Sequence, residues 1–214
     1  MIAAFPDFPL SSPRATARIT LADSVDCSTP DSDHELMLSV RDGDLDALGK
    51  LFERHHSRLF GYLYKLTGQR APAEDIVQTV FQRMLKYRHT YRNEGSFTAW
   101  MYHLARKCAA DQHRKSAALP LDANPGALSR QADEAPGAAE SAAAIDDRAL
   151  LRTALDRLDP ADREVLLLSR IRELSFAEVA EVLECSAGAA RVRAHRALGA
   201  LRDHFFKLQK GALP

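Results

Sequence analysis

Two groups of cationic side chains stand out by their spacing. In the first, Arg191, Arg193, His195 and Arg196 sit close together. If Ala190, Ala194, Ala197 and Leu201 form a buried helical stripe, then Gly188, Val192, His195 and Arg196 lie on the opposite side. In the second, Tyr102, Arg106 and His113 share one helical side, with His103, Lys107 and Arg114 beside them. A polar loop holding Tyr91, Arg92 and Asn93 precedes this second group. Such residues neutralise phosphates, donate to base edges and stack on bases. Covalent chemistry has no comparable set: there is no nucleophile–base pair and no phosphate loop. The adjacent His55 and His56 lack a second ligand pair at useful spacing, so neither a metal nor any other cofactor is expected. These residues are binding residues, and the chain is not read as an enzyme.

The elements that position the first group can be read locally. Ser175 and Glu178 have capping-box spacing, and Phe176, Val179, Ala180 and Leu183 then recur at helical intervals. Cys185 leads to Ser186, a preferred N-cap, and a second helix follows. A short helix, a turn and a cationic second helix have the outline of a helix-turn-helix reading a major groove. A plain helical hairpin with a solvated basic face fits this stretch equally well.

Upstream, a short helix is expected from the N-cap Asp33 to Gly43, then a longer one with Leu48, Phe52, Leu59, Leu63 and Leu66 as its apolar stripe. Pro72 suits the first turn of a third helix, with Glu74 and Asp75 at its positive end. Ile76, Val80 and Met84 mark the buried side of this helix, and Asp75, Gln78 and Gln82 form a polar stripe elsewhere. The fourth helix keeps Phe97, Met101, Leu104 and Cys108 on its buried side, with Trp100 partly in the core. Farther on, Asp159 followed by Pro160 is a strong helix start.

Charge divides the chain although 29 bases balance 29 acids overall. Residues 34–115 hold 14 bases against 9 acids and six of the eight histidines, and residues 151–214 hold 11 bases against 9 acids. Between them, residues 116–150 carry 6 acids and 2 bases among Ala, Pro, Gly and Ser. This reads as a flexible acidic linker over 116–146. Residues 1–32, rich in Pro, Ser and Thr, read as a disordered tail. No stretch approaches the roughly 18 apolar residues of a membrane span, and the N-terminus lacks the charged region of a secretory signal. Cys27, Cys108 and Cys185 are too scattered for a disulfide framework. A cytoplasmic location is expected, with Cys108 and Cys185 as small core residues.

Taken in order, the segments AEDIVQTVF (73–81), FTAWMYHLARKCAADQHRK (97–115), LDRLDPADREVLLLSRIRELSFAEVAEVLECS (155–186) and RVRAHRAL (191–198) resemble the extracytoplasmic-function sigma factors of the sigma-70 family. The resemblance implies an all-α chain of two helical domains. The first is a four-helix sigma2-like domain over 33–115, and the second a sigma4-like helix-turn-helix domain over 147–208, before a tail at 209–214. It implies a promoter-specificity subunit of RNA polymerase under the control of an anti-sigma factor. Asp75, Gln78, Thr79 and Gln82 would face the clamp of the beta-prime subunit, and the second domain would meet the flap of the beta subunit. Tyr91, Arg92, Asn93, Tyr102, His103, Arg106, Lys107, His113 and Arg114 would receive the single-stranded minus-ten element. Ser186, Gly188, Ala189, Arg191, Val192, Arg193, His195 and Arg196 would read the minus-thirty-five duplex. The acidic linker would thread the nucleic-acid channel of the polymerase.

This chain departs from the family pattern at Ala190 and Ala194, where bulkier aliphatic residues are usual. Val192 stands where Ser is common, Lys107 where Asn is frequent, and Thr79 where Glu is frequent. Two other functions fit parts of the sequence. One is an autonomous helix-turn-helix regulator; the other is a sigma-like mimic that titrates an anti-sigma factor.

Overall fold

The computed structural model describes residues 32–92, 94–118 and 142–211, and every regular element among them is helical. The expected tail over 1–32 lies outside the described residues except for Ser32, and so does most of the expected linker.

Helix α1 (Asp33–Asp42) starts one residue earlier than expected. Its N-cap is Ser32, whose hydroxyl accepts from the Glu35 N–H while Glu35 accepts from the Ser32 N–H, a complete capping box. Asp33 is instead free to hold Arg54 and His55, with oxygens 3.0 and 2.8 Å from their nitrogens. Gly43 closes α1 in the left-handed region at φ 110°, where a side chain would be strained.

Helix α2 (Leu45–Thr67) is capped by Asp44 and buries Ala47, Leu51, His55, Leu59, Tyr62 and Leu63. The expected stripe is corrected by part of a turn. Leu59 and Leu63 belong to it, Leu48 and Leu66 lie at its edge, and Phe52 is exposed, stacked on His56. Helix α3 (Arg70–Lys86) begins two residues before Pro72, so Glu74 and Asp75 lie beyond its first turn. There Glu74 pairs with Arg70 at 2.9 Å instead of complementing the helix terminus. Ile76, Val80 and Met84 are buried as the pattern required.

A single 3-10 turn (Arg88–Thr90) leads to α4 (Phe97–Ala118). Ser96 opens α4 by accepting from the Ala99 N–H at 3.3 Å. Phe97, Met101, Leu104 and Cys108 are buried, and Trp100 is half-buried. Arg83 of α3 donates to Asp111 of α4 at 2.7 Å, and this bond holds the Asp111 carboxyl below its ordinary range. Asp111→Asn is expected to destabilise the protein by about 1 kcal/mol, the upper end for partly exposed pairs. Because the folded-state pKa is depressed, this contribution is fully present above the ordinary carboxylate range and is lost as pH falls from there through the lowered folded-state pKa. Urea unfolding of wild type and variant at neutral and acidic pH measures the difference, which should vanish in acid.

The second half consists of α5 (Ala142–Asp156), α6 (Pro160–Leu166), which unwinds into a π-helical segment (Leu167–Ile171), α7 (Phe176–Leu183) and α8 (Ala187–Gly211). Asp159 caps α6 by accepting from the Ala161 N–H, with Pro160 at the first helical position. The capping box of Ser175 and Glu178 opens α7. Ser175→Ala should cost about 1 kcal/mol, read as a lower thermal midpoint with unchanged helical content. Ser186 starts α8 by accepting from the Ala189 N–H at 3.1 Å. Cys108 is buried but Cys185 is exposed in the turn between α7 and α8, which corrects its expected place in the core.

The two helical halves do not stand apart. Their buried residues join in one cluster, with Leu59, Tyr62 and Met101 on one side and Val165, Leu168 and Val179 on the other. Helix α7 packs on α4, and α6 and the π segment pack on α2. The Arg172 side chain crosses α2 at Gly61, where a Cβ would stand 2.7 Å from the guanidinium. The Arg172 Nε is buried there with no hydrogen-bond partner.

Candidate nucleic-acid interface

Helix α8 separates its two sides cleanly. Ala190, Ala194 and Ala197 are buried against α6 and α7, while Leu201 is half-buried. Ser186, Gly188, Ala189, Arg191, Val192, Arg193, His195 and Arg196 are all exposed. The expected duplex-reading residues therefore share one open face. Val192 is 51% exposed at its middle, with no polar atom to offer but methyl groups that suit a thymine methyl. The Arg191 guanidinium lies 5.5 Å from the centre of the Phe176 ring, which ties α8 to α7. Arg193 has only a long 3.9 Å approach to Asp162, too loose to neutralise it.

The second expected group is arranged differently. Arg92, His113 and Arg114 are exposed, and Asn93 lies outside the described residues. Arg114 is paired with Asp111. Tyr91 and Tyr102, expected to face outward, are 4% and 2% exposed. Tyr91 packs edge-on against Trp100 at 4.9 Å, and its hydroxyl is 2.6 Å from His34 Nδ1. Burial raises its pKa to about 12. Tyr102 packs edge-on against Tyr62 at 5.1 Å. The physical reason is that each meets a neighbour its local pattern does not advertise, Tyr91 the Trp100 ring and His34 of α1, and Tyr102 the Tyr62 ring of α2.

The cations of α4 meet carboxylates of the second half. His103 is buried, with Nε2 2.8 Å from Glu184 Oε1. A carboxylate only accepts, so Nε2 carries the proton. Burial lowers the His103 pKa, against the opposing pull of Glu184, and the bond from His103 lowers that of Glu184. Lys107 Nζ is 3.8 Å from the same Glu184 oxygen. Arg106 Nε lies 3.1 Å from Glu164 Oε1, which also accepts from the Tyr62 hydroxyl at 3.0 Å. Burial, then the Glu164 charge, raises the Tyr62 pKa well above its ordinary value. At the start of α4, Ser96 donates to Glu178 Oε1 at 2.7 Å. Sequence reasoning assigned no such role to Glu164, Glu178, Glu184 or Tyr62. The available signal was the recurrence of Glu178, Glu181 and Glu184 every three residues on a short helix, opposite a basic one.

On α3, Asp75, Gln78 and Gln82 form an exposed polar row. Thr79 beside them is half-buried and donates to the Asp75 carbonyl at 2.8 Å. Between α5 and α8 a groove of about 390 Å³ is lined by Leu151, Leu198, Leu201, Phe205 and Phe206. No helix among the described residues is long and apolar enough to cross a membrane, and no metal-ligating cluster occurs among them.

Comparison with known proteins agrees with this division. Residues 51–118 match sigma-70 region 2 and residues 148–201 match sigma-70 region 4. The RNA polymerase sigma factor CarQ of Myxococcus xanthus is 32% identical over 173 residues, covering 81% of this chain and 97% of CarQ. The extracytoplasmic-function sigma factor BldN of Streptomyces coelicolor is 30% identical, covering 78% of this chain and 63% of BldN. Among solved structures, CnrH in complex with the cytosolic domain of CnrY superposes with a TM-score of 0.61 at 23% identity, over 85% of this chain and 99% of that one. The sigma factor RpoE bound to the anti-sigma factor NepR of Bartonella quintana gives a TM-score of 0.60 at 20% identity, over 73% of this chain and 94% of that one. The described helices, the two family matches and these relatives agree: the chain belongs to the extracytoplasmic-function group of the sigma-70 family of RNA polymerase sigma factors.

Proposed function

We propose that the chain is an alternative sigma factor that binds core RNA polymerase and directs initiation by recognising two promoter elements. The observation that carries this reading is the open face of α8, where Arg191, Arg193, His195 and Arg196 are exposed above a buried alanine stripe. That face is assigned to the minus-thirty-five duplex, with side chains contacting phosphates and base edges. Arg92, His103, Arg106, Lys107, His113 and Arg114 are assigned to the minus-ten strand, whose phosphates they would neutralise. Buried Tyr91 and Tyr102 support this face from beneath instead of stacking on bases. The exposed row Asp75, Gln78 and Gln82, with Thr79, is assigned to the polymerase clamp. The apolar groove between α5 and α8 is assigned to the flap. RpoE is bound by an anti-sigma factor, and CnrH by the cytosolic domain of CnrY. An anti-sigma factor is the partner we assign here too.

Copurification with core polymerase followed by run-off transcription tests this reading. The expected result is stable association and initiation from defined start sites. Specific operator binding without polymerase, and no initiation with it, would show an autonomous regulator. Capture of an anti-sigma factor with no initiation would show a titrating mimic.

A further inference from the structure

The open side of α8 divides along its length. Its first turn, Ala187, Gly188 and Ala189, is exposed and presents no polar side-chain atom. The Ser186 hydroxyl before it already accepts from the Ala189 N–H at 3.1 Å. Cations begin only at Arg191, whose guanidinium lies over the Phe176 ring, and Arg193, His195 and Arg196 follow farther along. The apolar part of this side is therefore its N-terminal part, the end of a reading helix that meets base edges.

Val192 stands at the border of the two parts, one turn after Gly188 and one turn before Arg196. It is 51% exposed and takes no part in the buried cluster. A Cβ at Gly188 would meet nothing within 4 Å, so no neighbour in the chain requires a glycine there. Glycine is disfavoured inside a helix, and what it leaves here is open space directly before Val192.

Among the four bases only thymine presents an apolar group in the major groove, its C5 methyl. Cytosine presents an amine there and guanine two acceptors, and a valine set against either would desolvate a polar edge without giving it a partner. Against a methyl, the valine removes apolar surface from water on both sides.

We infer that Val192 selects a thymine by methyl contact at the base pair facing the first two turns of α8, leaving hydrogen-bonded readout to the cations beyond it. This rests on the reading of α8 as the minus-thirty-five helix. The selection has a direction, since reversing the pair moves the methyl to the other strand, where the major-groove edge offers an adenine instead.

The test uses the full chain assembled with core polymerase. Genomic fragments of the source organism are enriched on this holoenzyme, and the tightest-bound promoter is resynthesised. Each thymine of its minus-thirty-five element is replaced singly by uracil, which lacks only the methyl, and holoenzyme affinity is titrated on each duplex. One uracil is expected to weaken the wild type about four-fold, the worth of one buried methyl. Val192→Ala should bind the unmodified promoter more weakly and lose nothing further on that uracil. Because Val192 lies outside the core, its thermal midpoint should match the wild type. An element without thymine, or no sensitive uracil, from a wild type that still initiates would overturn the methyl contact and spare the assigned function. A uracil equally costly to Val192→Ala would show that another residue reads that methyl, and would overturn the assignment to Val192. If the holoenzyme enriched no fragment and initiated nowhere, the assigned function would fall, and this selection with it.

Discussion

Replacing Arg193 and Arg196 together with Ala is expected to lower promoter-directed transcription about 30-fold or more, while binding to core polymerase stays within about two-fold. Each cationic contact to DNA is worth about 1–3 kcal/mol, and two that do not share a partner should add. Both side chains lie on the exposed side of α8, and neither contributes to the buried alanine stripe. The distant Arg193–Asp162 approach is the one ion pair seen on Arg193, so little stability is lost with it. The measurement is run-off transcription against salt concentration, paired with a polymerase-binding titration. Equal loss of both activities would mean that the face is structural. If the loss were confined to promoters with a strong minus-thirty-five element, the two arginines would be contacts to that element.

The largest effect on stability is expected from Tyr62. Its side chain is fully buried, packs edge-on against Tyr102 and donates to Glu164, so it belongs to both halves at once. Tyr62→Ala should cost about 3–5 kcal/mol, the range for deleting a buried aromatic ring. Tyr62→Phe should cost about 1–2 kcal/mol, because Glu164 loses one donor but keeps Arg106. Denaturant unfolding followed by circular dichroism checks both figures. Because the ring sits where the halves meet, the alanine variant should also split a single transition into two, one for each half. A single transition shifted without broadening would show that the rest of the shared core suffices to hold the halves together.

Much of this architecture was legible in the sequence because its signals are local. Capping at Ser175, Asp159 and Ser186 depends on residues within one turn, and the structure reproduces all three. The four-three-four rhythms of α4 and α8 likewise report which side meets the nearest neighbour, and Met101, Leu104, Ala190 and Ala194 are buried accordingly. Local periodicity fails where a helix has two neighbours. Tyr102 and His103 looked outward because they lie off the main stripe of α4, yet Tyr62 of α2 packs on the first and Glu184, far along the chain at the end of α7, accepts from the second. Amphipathic aromatic and imidazole side chains make that second burial possible, since each offers an apolar body with one polar group to satisfy. The Phe52 misplacement has a different cause. Stacking on His56 keeps an exposed ring partly covered, so its position on the apolar count overstates its burial. The meeting of the basic block with the acids of α7 was not read from charge, because the count over 151–214 is net basic and hides the acids of one short helix.

The alanine stripe of α8 sets a tolerance. Three methyl groups, on Ala190, Ala194 and Ala197, are the fully buried part of what α8 sets against its support, with Ala200 and Leu201 partly buried beside them. Alanine loses no rotamer freedom on burial, so this seat costs little entropy, but it also interlocks little. Any larger residue at these positions would act as a wedge, moving the helix outward as a rigid rod. If α8 reads a duplex as proposed, the depth to which its arginines reach would change by the thickness of the added carbons. On that reading, reach as well as side-chain identity would be set at these three positions.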